Sequence, residues 1–364
     1  MNRPQDRITT AQAFVILANF LLGSGILSLP RTAVEKVKTP DVWISVILSG
    51  IIAMFAGGII VKLSQKFPKQ TFYQYSQEIV GKWMGSIISL GLICYFLIEA
   101  GYQISSLAKV TNFFLLGGTP IWAILMPFMW ISLYVMMSGI NAIARLFEII
   151  FPITIFILLL ISFMSIGIFD LDNLRPVLGS GFLPVLHGLK ITTLSFAGPE
   201  IMLILFVFME HPNKATKVML TGIFVTLIIY VITVVMVIGA LSVDGVVTRA
   251  WPTMDLMRSF EIPGLLFERF ESFFLVIWIM KIFTTYTICH YAAALGLAQL
   301  LKKSIQPFMF ATLPMMYIIA VTTQNTKNFL KLADIIGKMA FYLIGVMPLL
   351  LLILIRLRGG QGEE

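Results

Sequence analysis

Glu99 and Lys281 each stand in the middle of a long apolar stretch of this sequence, a setting in which a charge must pair, line a polar cavity or serve a ligand. Helical spacing puts Tyr95 and Glu99, four residues apart, on one face. Lys281, Thr285 and Cys289 follow each other at the same step on a second face. The chemistry open to such a set is reversible recognition of a polar solute. A purely structural role, an ion pair between Glu99 and Lys281 that locks two helices, stands beside it. A third option gives the Lys281 ammonium the place that an ion takes in sodium-coupled transporters. Lys190 and Lys338 lie nearer helix ends and are expected to snorkel to the interface.

Two glycine-centred interruptions show where these groups would converge. Gly23-Ser24-Gly25 falls inside the apolar run 11–29, and Phe196-Ala197-Gly198-Pro199-Glu200 inside the run 185–208. Gly25 and Gly198 are 173 positions apart, close to half of the 364 residues. Breaks in membrane-length helices free backbone groups that lipid cannot satisfy, so they persist where they are buried in protein or line a cavity. A matched pair in two halves is a transporter-type pointer to a ligand site.

The start of the second half-helix offers open N–H groups to a carboxylate, and the carbonyls closing the first suit an ammonium. Together they describe an α-amino acid or similar zwitterion. Gly23 and Gly25, lacking Cβ, would let a ligand approach the backbone, although Gly-x-Gly also makes a packing face for a neighbouring helix. Pro199 removes a donor and kinks its helix. Glu200 then opens the next half-helix, either meeting a ligand ammonium or capping the helix, and Phe196 and Ala197 flank the side-chain end of the pocket.

Composition excludes much else. The chain is 58% hydrophobic and 12% charged with a mean hydropathy of +0.93, against roughly 25% charged in soluble domains, which makes it an integral membrane protein. Its net charge of +8 collects in loops beside lipid and does not signal nucleic acid. Cys94 and Cys289 lie in apolar helices and form no disulfide framework. His187, His211 and His290 lack metal-ligand spacing, and no phosphate loop or nucleophile motif occurs. No metal, cofactor or enzymatic activity is expected. Asp170-Leu171-Asp172 reads as a loop cap.

Ten apolar runs are long enough to span: 11–29, 42–63, 83–108, 121–138, 146–168, 185–208, 218–241, 273–297, 307–321 and 335–355. The expected fold is an all-α polytopic membrane protein of ten transmembrane helices in a 5+5 inverted repeat, LeuT-like, with helices 1 and 6 broken. The whole of 1–364 is one membrane domain, with repeats at 8–169 and 182–356. Lys and Arg are denser on the side of the termini, which places both termini in the cytoplasm. Residues 65–82 read as an amphipathic helix on the cytoplasmic surface, and 242–271 as an external lid.

The run Asn19-Phe20-Leu21-Leu22-Gly23-Ser24-Gly25-Ile26-Leu27-Ser28-Leu29-Pro30-Arg31 resembles the first helix of the B subunits of bacterial spore germinant receptors, the GerAB-like proteins. Thr39-Pro40-Asp41, Asn173-Leu174-Arg175-Pro176-Val177, Trp251-Pro252-Thr253 and Phe267-Glu268-Arg269-Phe270-Glu271-Ser272-Phe273 extend the resemblance along essentially the whole chain. Gly-x-Gly alone indicates the wider amino acid–polyamine–organocation superfamily. The resemblance implies a ten-helix, broken-helix fold in the inner membrane of dormant spores, together with a larger A subunit and a C-subunit lipoprotein. It further implies that this subunit binds a germinant, usually an amino acid or similar nutrient, and triggers ion release through the complex. By position, the pocket takes Gly23, Tyr95, Glu99, Phe196, Ala197, Thr285 and Cys289. Glu99 and Lys281 depart from alanine-responsive members and favour a more polar ligand, or one with an extra charge.

The leading function is thus a germinant-sensing subunit with a transporter fold, its ligand set being Gly23, Ser24, Gly25, Tyr95, Glu99, Phe196, Ala197, Gly198, Glu200, Lys281, Thr285 and Cys289. A proton- or cation-coupled amino acid permease competes with it, as does a structural subunit with a vestigial pocket.

Overall fold

In the computed structural model, residues 7–23, 25–258 and 270–359 are described, the side chains of 257–258, 270–273 and 358–359 excepted. Ser24 and residues 267–269 of the 267–273 motif lie outside the described residues. The first apolar run forms α1 (Thr10–Leu21) and α2 (Gly25–Val37), which meet at 45°. There follow α3 (Val42–Gln65), α4 (Phe72–Val80), α5 (Lys82–Phe114), α6 (Ile121–Met137) and α7 (Ile140–Met164). After α8 (Leu183–Leu194) come the four-residue α9 (Met202–Leu205), α10 (Ala215–Thr248), α11 (Pro252–Arg258) and α12 (Phe270–Leu300). The chain ends in α13 (Gln306–Thr322), α14 (Thr326–Ala340), a π-helical segment Phe341–Val346, and α15 (Met347–Gly359).

Among the described residues, seven helical stretches are long and apolar enough to cross a membrane, and the α1–α2 pair qualifies as an eighth, bent one. The 17-residue α6 and α13 are apolar but shorter. This is a multi-pass membrane protein.

Burial ranks the helices around the core. In its most apolar window α12 is 78% buried, whereas the Ile140–Ile168 stretch is 22% buried. The central helix is therefore α12, which packs on α5, α1, α6, α7 and α13, while α7 turns most of its surface outward. Without a hydrophobic drive between helices in lipid, such contacts depend on close packing and shared polar groups.

Local chemistry sets the ends. Thr9 caps α1 through a reciprocal box: its Oγ1 accepts from the Gln12 amide at 3.2 Å, and the Gln12 Oε1 accepts from the Thr9 amide at 3.0 Å. A second box at Thr71 and Gln74 starts α4. The expected surface helix is therefore present but shorter, and its aromatic face is held by protein. Phe72, Tyr73 and Tyr75 are buried, and the Tyr73 hydroxyl donates to the Ala292 carbonyl of α12 at 2.9 Å. Lys190 is exposed, and Lys338 is exposed and pairs with Asp334 one turn away at 2.6 Å, as snorkelling side chains do. Asp170 caps the Leu171–Leu174 turn by accepting from the Asp172 amide at 2.9 Å.

The segment expected to be an external lid opens on a break: Ser242 is non-helical (φ 60°, ψ 167°), and two helices of α10 meet there, the second running on through Thr248. Its middle, α11, packs on α2, α10 and α12. Pro30 in α2 has no N–H, so the Ile26 carbonyl four residues earlier loses its helical donor. Thr253 of α11 supplies one at 3.3 Å. Replacing Thr253 with valine leaves that buried carbonyl unmet, a cost of about 1–3 kcal/mol. Faster hydrogen exchange in α11 and α2 than in the wild type is the expected readout; unchanged exchange would disconnect α11 from α2.

Candidate functional site

Each interruption is closed by side chains from other helices. At the first, α1 ends at Leu21, and the freed Leu21 carbonyl accepts from the Tyr230 hydroxyl of α10 at 2.6 Å. A Cβ on Gly23 would stand 2.8 Å from the Thr285 Oγ1, and one on Gly25 would stand 2.5 Å from the Tyr230 hydroxyl. Only glycine fits where these groups press on the backbone. The close approach expected for a ligand is made by Thr285 and Tyr230. Phe196 is buried and meets the Tyr230 ring edge-on at 5.3 Å, so Tyr230 touches both interruptions.

At the second, α8 ends at Leu194 and the chain turns through half-buried Ala197 to Gly198. Gly198 has φ 149° and ψ −27°, a conformation open to glycine, and a Cβ there would lie 2.7 Å from Leu21 of the first interruption. Pro199–Ile201 then forms a 3₁₀ turn leading into α9. Glu200 is fully buried and folds back to accept from the Gly198 amide at 2.7 Å, while its other oxygen accepts from the Tyr95 hydroxyl at 2.5 Å. Of the two roles left open for this carboxylate, meeting a ligand ammonium or capping the helix, the bond from the Gly198 amide is the capping one. A hydroxyl on α5 aims the carboxylate.

Tyr95, Glu99, Glu200 and Cys289 lie within interaction range of one another. Glu99, one turn from Tyr95, is half-buried and accepts from the Gln103 side chain at 2.6 Å. It lies within electrostatic range of Glu200, and both lie within range of the buried Cys289.

Lys281 is placed elsewhere. Its ammonium donates to the Asn19 side-chain carbonyl of α1 and sits 5.1 Å from the centre of the Phe151 ring of α7. The proposed meeting of Lys281 with Glu99 is not made: Glu99 faces Gln103 and Glu200, and Lys281 faces the last turns of α1. Asn19 in turn donates to the Phe147 carbonyl at 3.4 Å, so one buried ammonium joins α1, α7 and α12. Among the described residues no cluster of His, Cys, Asp or Glu is arranged for a metal.

Residues 7–329 match the family described as spore germination protein. The whole chain is 52% identical over 364 residues to spore germination protein YndE of Bacillus subtilis, covering 100% of both sequences. The chain belongs to the spore germination protein family. Spore germination protein A2 of Bacillus subtilis is 37% identical over 359 residues, covering 97% of this chain and 96% of that one. In fold, this germination protein is similar to MhsT, solved in complex with L-phenylalanine, with a TM-score of 0.67, 10% identity, and coverage of 94% and 97%. The fold is accordingly that of LeuT-like transporters.

Two site residues of this germination protein escape the sequence reading, Tyr230 and Asn19. A lone phenol in the apolar run 218–241, and an asparagine one turn before Gly23, were the signals available. A buried hydroxyl or amide in a membrane helix needs a partner. The partners, Leu21 and Lys281, are 209 and 262 positions away and leave no mark in spacing.

Proposed function

We propose that the chain is the germinant-sensing subunit of a spore nutrient receptor, binding a small amino acid or similar zwitterion where the two interruptions meet. The observation that carries this reading is the convergence of Gly23, Thr285, Tyr95, Glu99, Cys289 and Glu200 at those interruptions. In it, the seven long stretches, the bent α1–α2 pair, α6 and α13 are ten crossings. They form inverted repeats over 8–169 and 182–356, with both termini on the core side of the spore inner membrane. The partners are the A subunit and the C-subunit lipoprotein, which receive the signal.

The Lys281 ammonium, on Asn19 beside the end of α1, holds the place of a coupling cation. Response to ligand is then independent of added sodium. A ligand panel tested by thermal shift on purified protein, with and without sodium, checks this. Concentration-dependent stabilisation by an amino acid supports the reading, and absence of binding across the panel overturns it. A permease is the competing reading, favoured by the fold itself. Saturable, gradient-driven uptake into proteoliposomes would establish it, whereas binding without uptake supports the sensor.

Glu99 and Glu200 make the pocket acidic, and among the described residues no ammonium pairs with them. A Glu99→Gln variant is expected to bind a dibasic amino acid at least tenfold more weakly, with less change for a neutral one, by titration calorimetry. Equal losses for both ligands would remove Glu99 from the side-chain end of the pocket.

A further inference from the structure

One ridge of α12 carries Tyr286 and His290, both wholly buried, on the flank next to the Lys281, Thr285 and Cys289 face. The ridge fits into a seam with α6 and α13, where the Tyr286 ring stands 5.6 Å from that of Phe128. The His290 Nε2 lies 2.9 Å from the Met309 carbonyl and 2.8 Å from the Thr312 hydroxyl. A carbonyl cannot donate, so Nε2 carries the ring proton. The Thr312 hydroxyl gives its own proton to the Phe308 carbonyl at 2.7 Å, which leaves it an acceptor toward His290.

The tautomer is thereby fixed, and in the neutral ring Nδ1 is a bare acceptor. That nitrogen is buried and has no protein partner. One turn earlier the Tyr286 hydroxyl is likewise buried and unpartnered, and the two rings are 5.7 Å apart. An unmet donor and an unmet acceptor are therefore carried by neighbouring buried rings of one helix. Groups left this way cost free energy that hydrogen-bonded membrane proteins avoid. Trp278 adds a third unmet group, a second donor, on the same ridge, but two turns from Tyr286, about 12 Å along the axis, and beyond reach of the same bridge.

We propose that this seam is a binding site for a single structural water, which accepts from the Tyr286 hydroxyl and donates to the His290 Nδ1. The polarity fits in one direction only: phenol to water, water to imidazole, imidazole to the Met309 carbonyl. The chain of bonds ties the middle of α12 to α13 from behind the ligand-facing side. It is independent of any ligand, since it uses none of the residues of the pocket.

Radiolytic footprinting of the purified full chain in ¹⁸O-labelled water tests the site, because bound water oxidises the ring beside it whatever that ring's exposure. Tyr230 is the internal control, as deeply buried but with its hydroxyl already given to Leu21. We expect Tyr286 and His290 to incorporate ¹⁸O several-fold faster than Tyr230, and a Tyr286→Phe variant to lose the excess at His290. Labelling of Tyr286 and His290 no faster than Tyr230 overturns the proposal. So does excess labelling at His290 that survives in the Tyr286→Phe protein. Both readouts stand in a chain that binds no nutrient at all, so a failed function and a failed water site are told apart.

Discussion

Replacing Gly198 with alanine is expected to lower the thermal stability of the purified protein severely and to abolish ligand binding. Two costs add. A residue with Cβ held at φ 149° is strained by about 1–3 kcal/mol. The new methyl also lands 2.7 Å from Leu21 and 3.1 Å from Phe20, and overpacking of this kind costs about 1–3 kcal/mol more. Neither neighbour has free room, since Leu21 and Phe20 are themselves buried at the end of α1. The strain would spread to the Gly198 amide, which holds Glu200, and from Glu200 to Tyr95. A thermal melt in detergent with the ligand panel checks the prediction. A variant that melts and binds like the wild type would show that the chain adopts another path through this turn.

The second large effect belongs to Lys281. Exchange for methionine keeps the length and apolar stem but leaves the Asn19 side-chain carbonyl as a buried, unmet acceptor, at about 1–3 kcal/mol. Removal of the buried charge works the other way, because taking an ammonium out of water is itself expensive. The two terms partly cancel, so folding should survive while the tie between α1 and α12 is lost. Ligand binding is expected to weaken more than tenfold. The double variant Asn19→Leu with Lys281→Met should regain stability, having no orphaned carbonyl, yet still fail to bind. Normal binding by a stable Lys281→Met protein would remove the lysine from the site and leave it as packing.

The separation between what was legible in the sequence and what was not follows bond range. The pairs Tyr95–Glu99 and Lys281–Thr285–Cys289 were readable because a helix fixes which residues share a face. The interruptions were readable because Gly and Pro act on the backbone at their own positions. What the sequence could not supply was which face meets which. By charge alone Glu99 and Lys281 attract, but Lys281 reaches Asn19 and Glu99 reaches Gln103, because α12 is turned so that its lysine points toward α1 and α7. The start of the segment 242–271 was readable from composition: apolar content falls after Leu241, and the helix breaks at Ser242 before a second one runs to Thr248.

The chain enters α1 beside the exit from the second interruption, where Ile8 donates to the Phe208 carbonyl at 2.8 Å and accepts from the Glu210 amide at 3.0 Å. Two main-chain bonds thus yoke the foot of the first span to the tail of residues 199–208. No substitution other than proline, which lacks the N–H, removes either bond of this yoke, because it is made by the backbone. A displacement at the start of α1 is therefore passed to Phe208 and, along α9, toward Gly198 and Glu200.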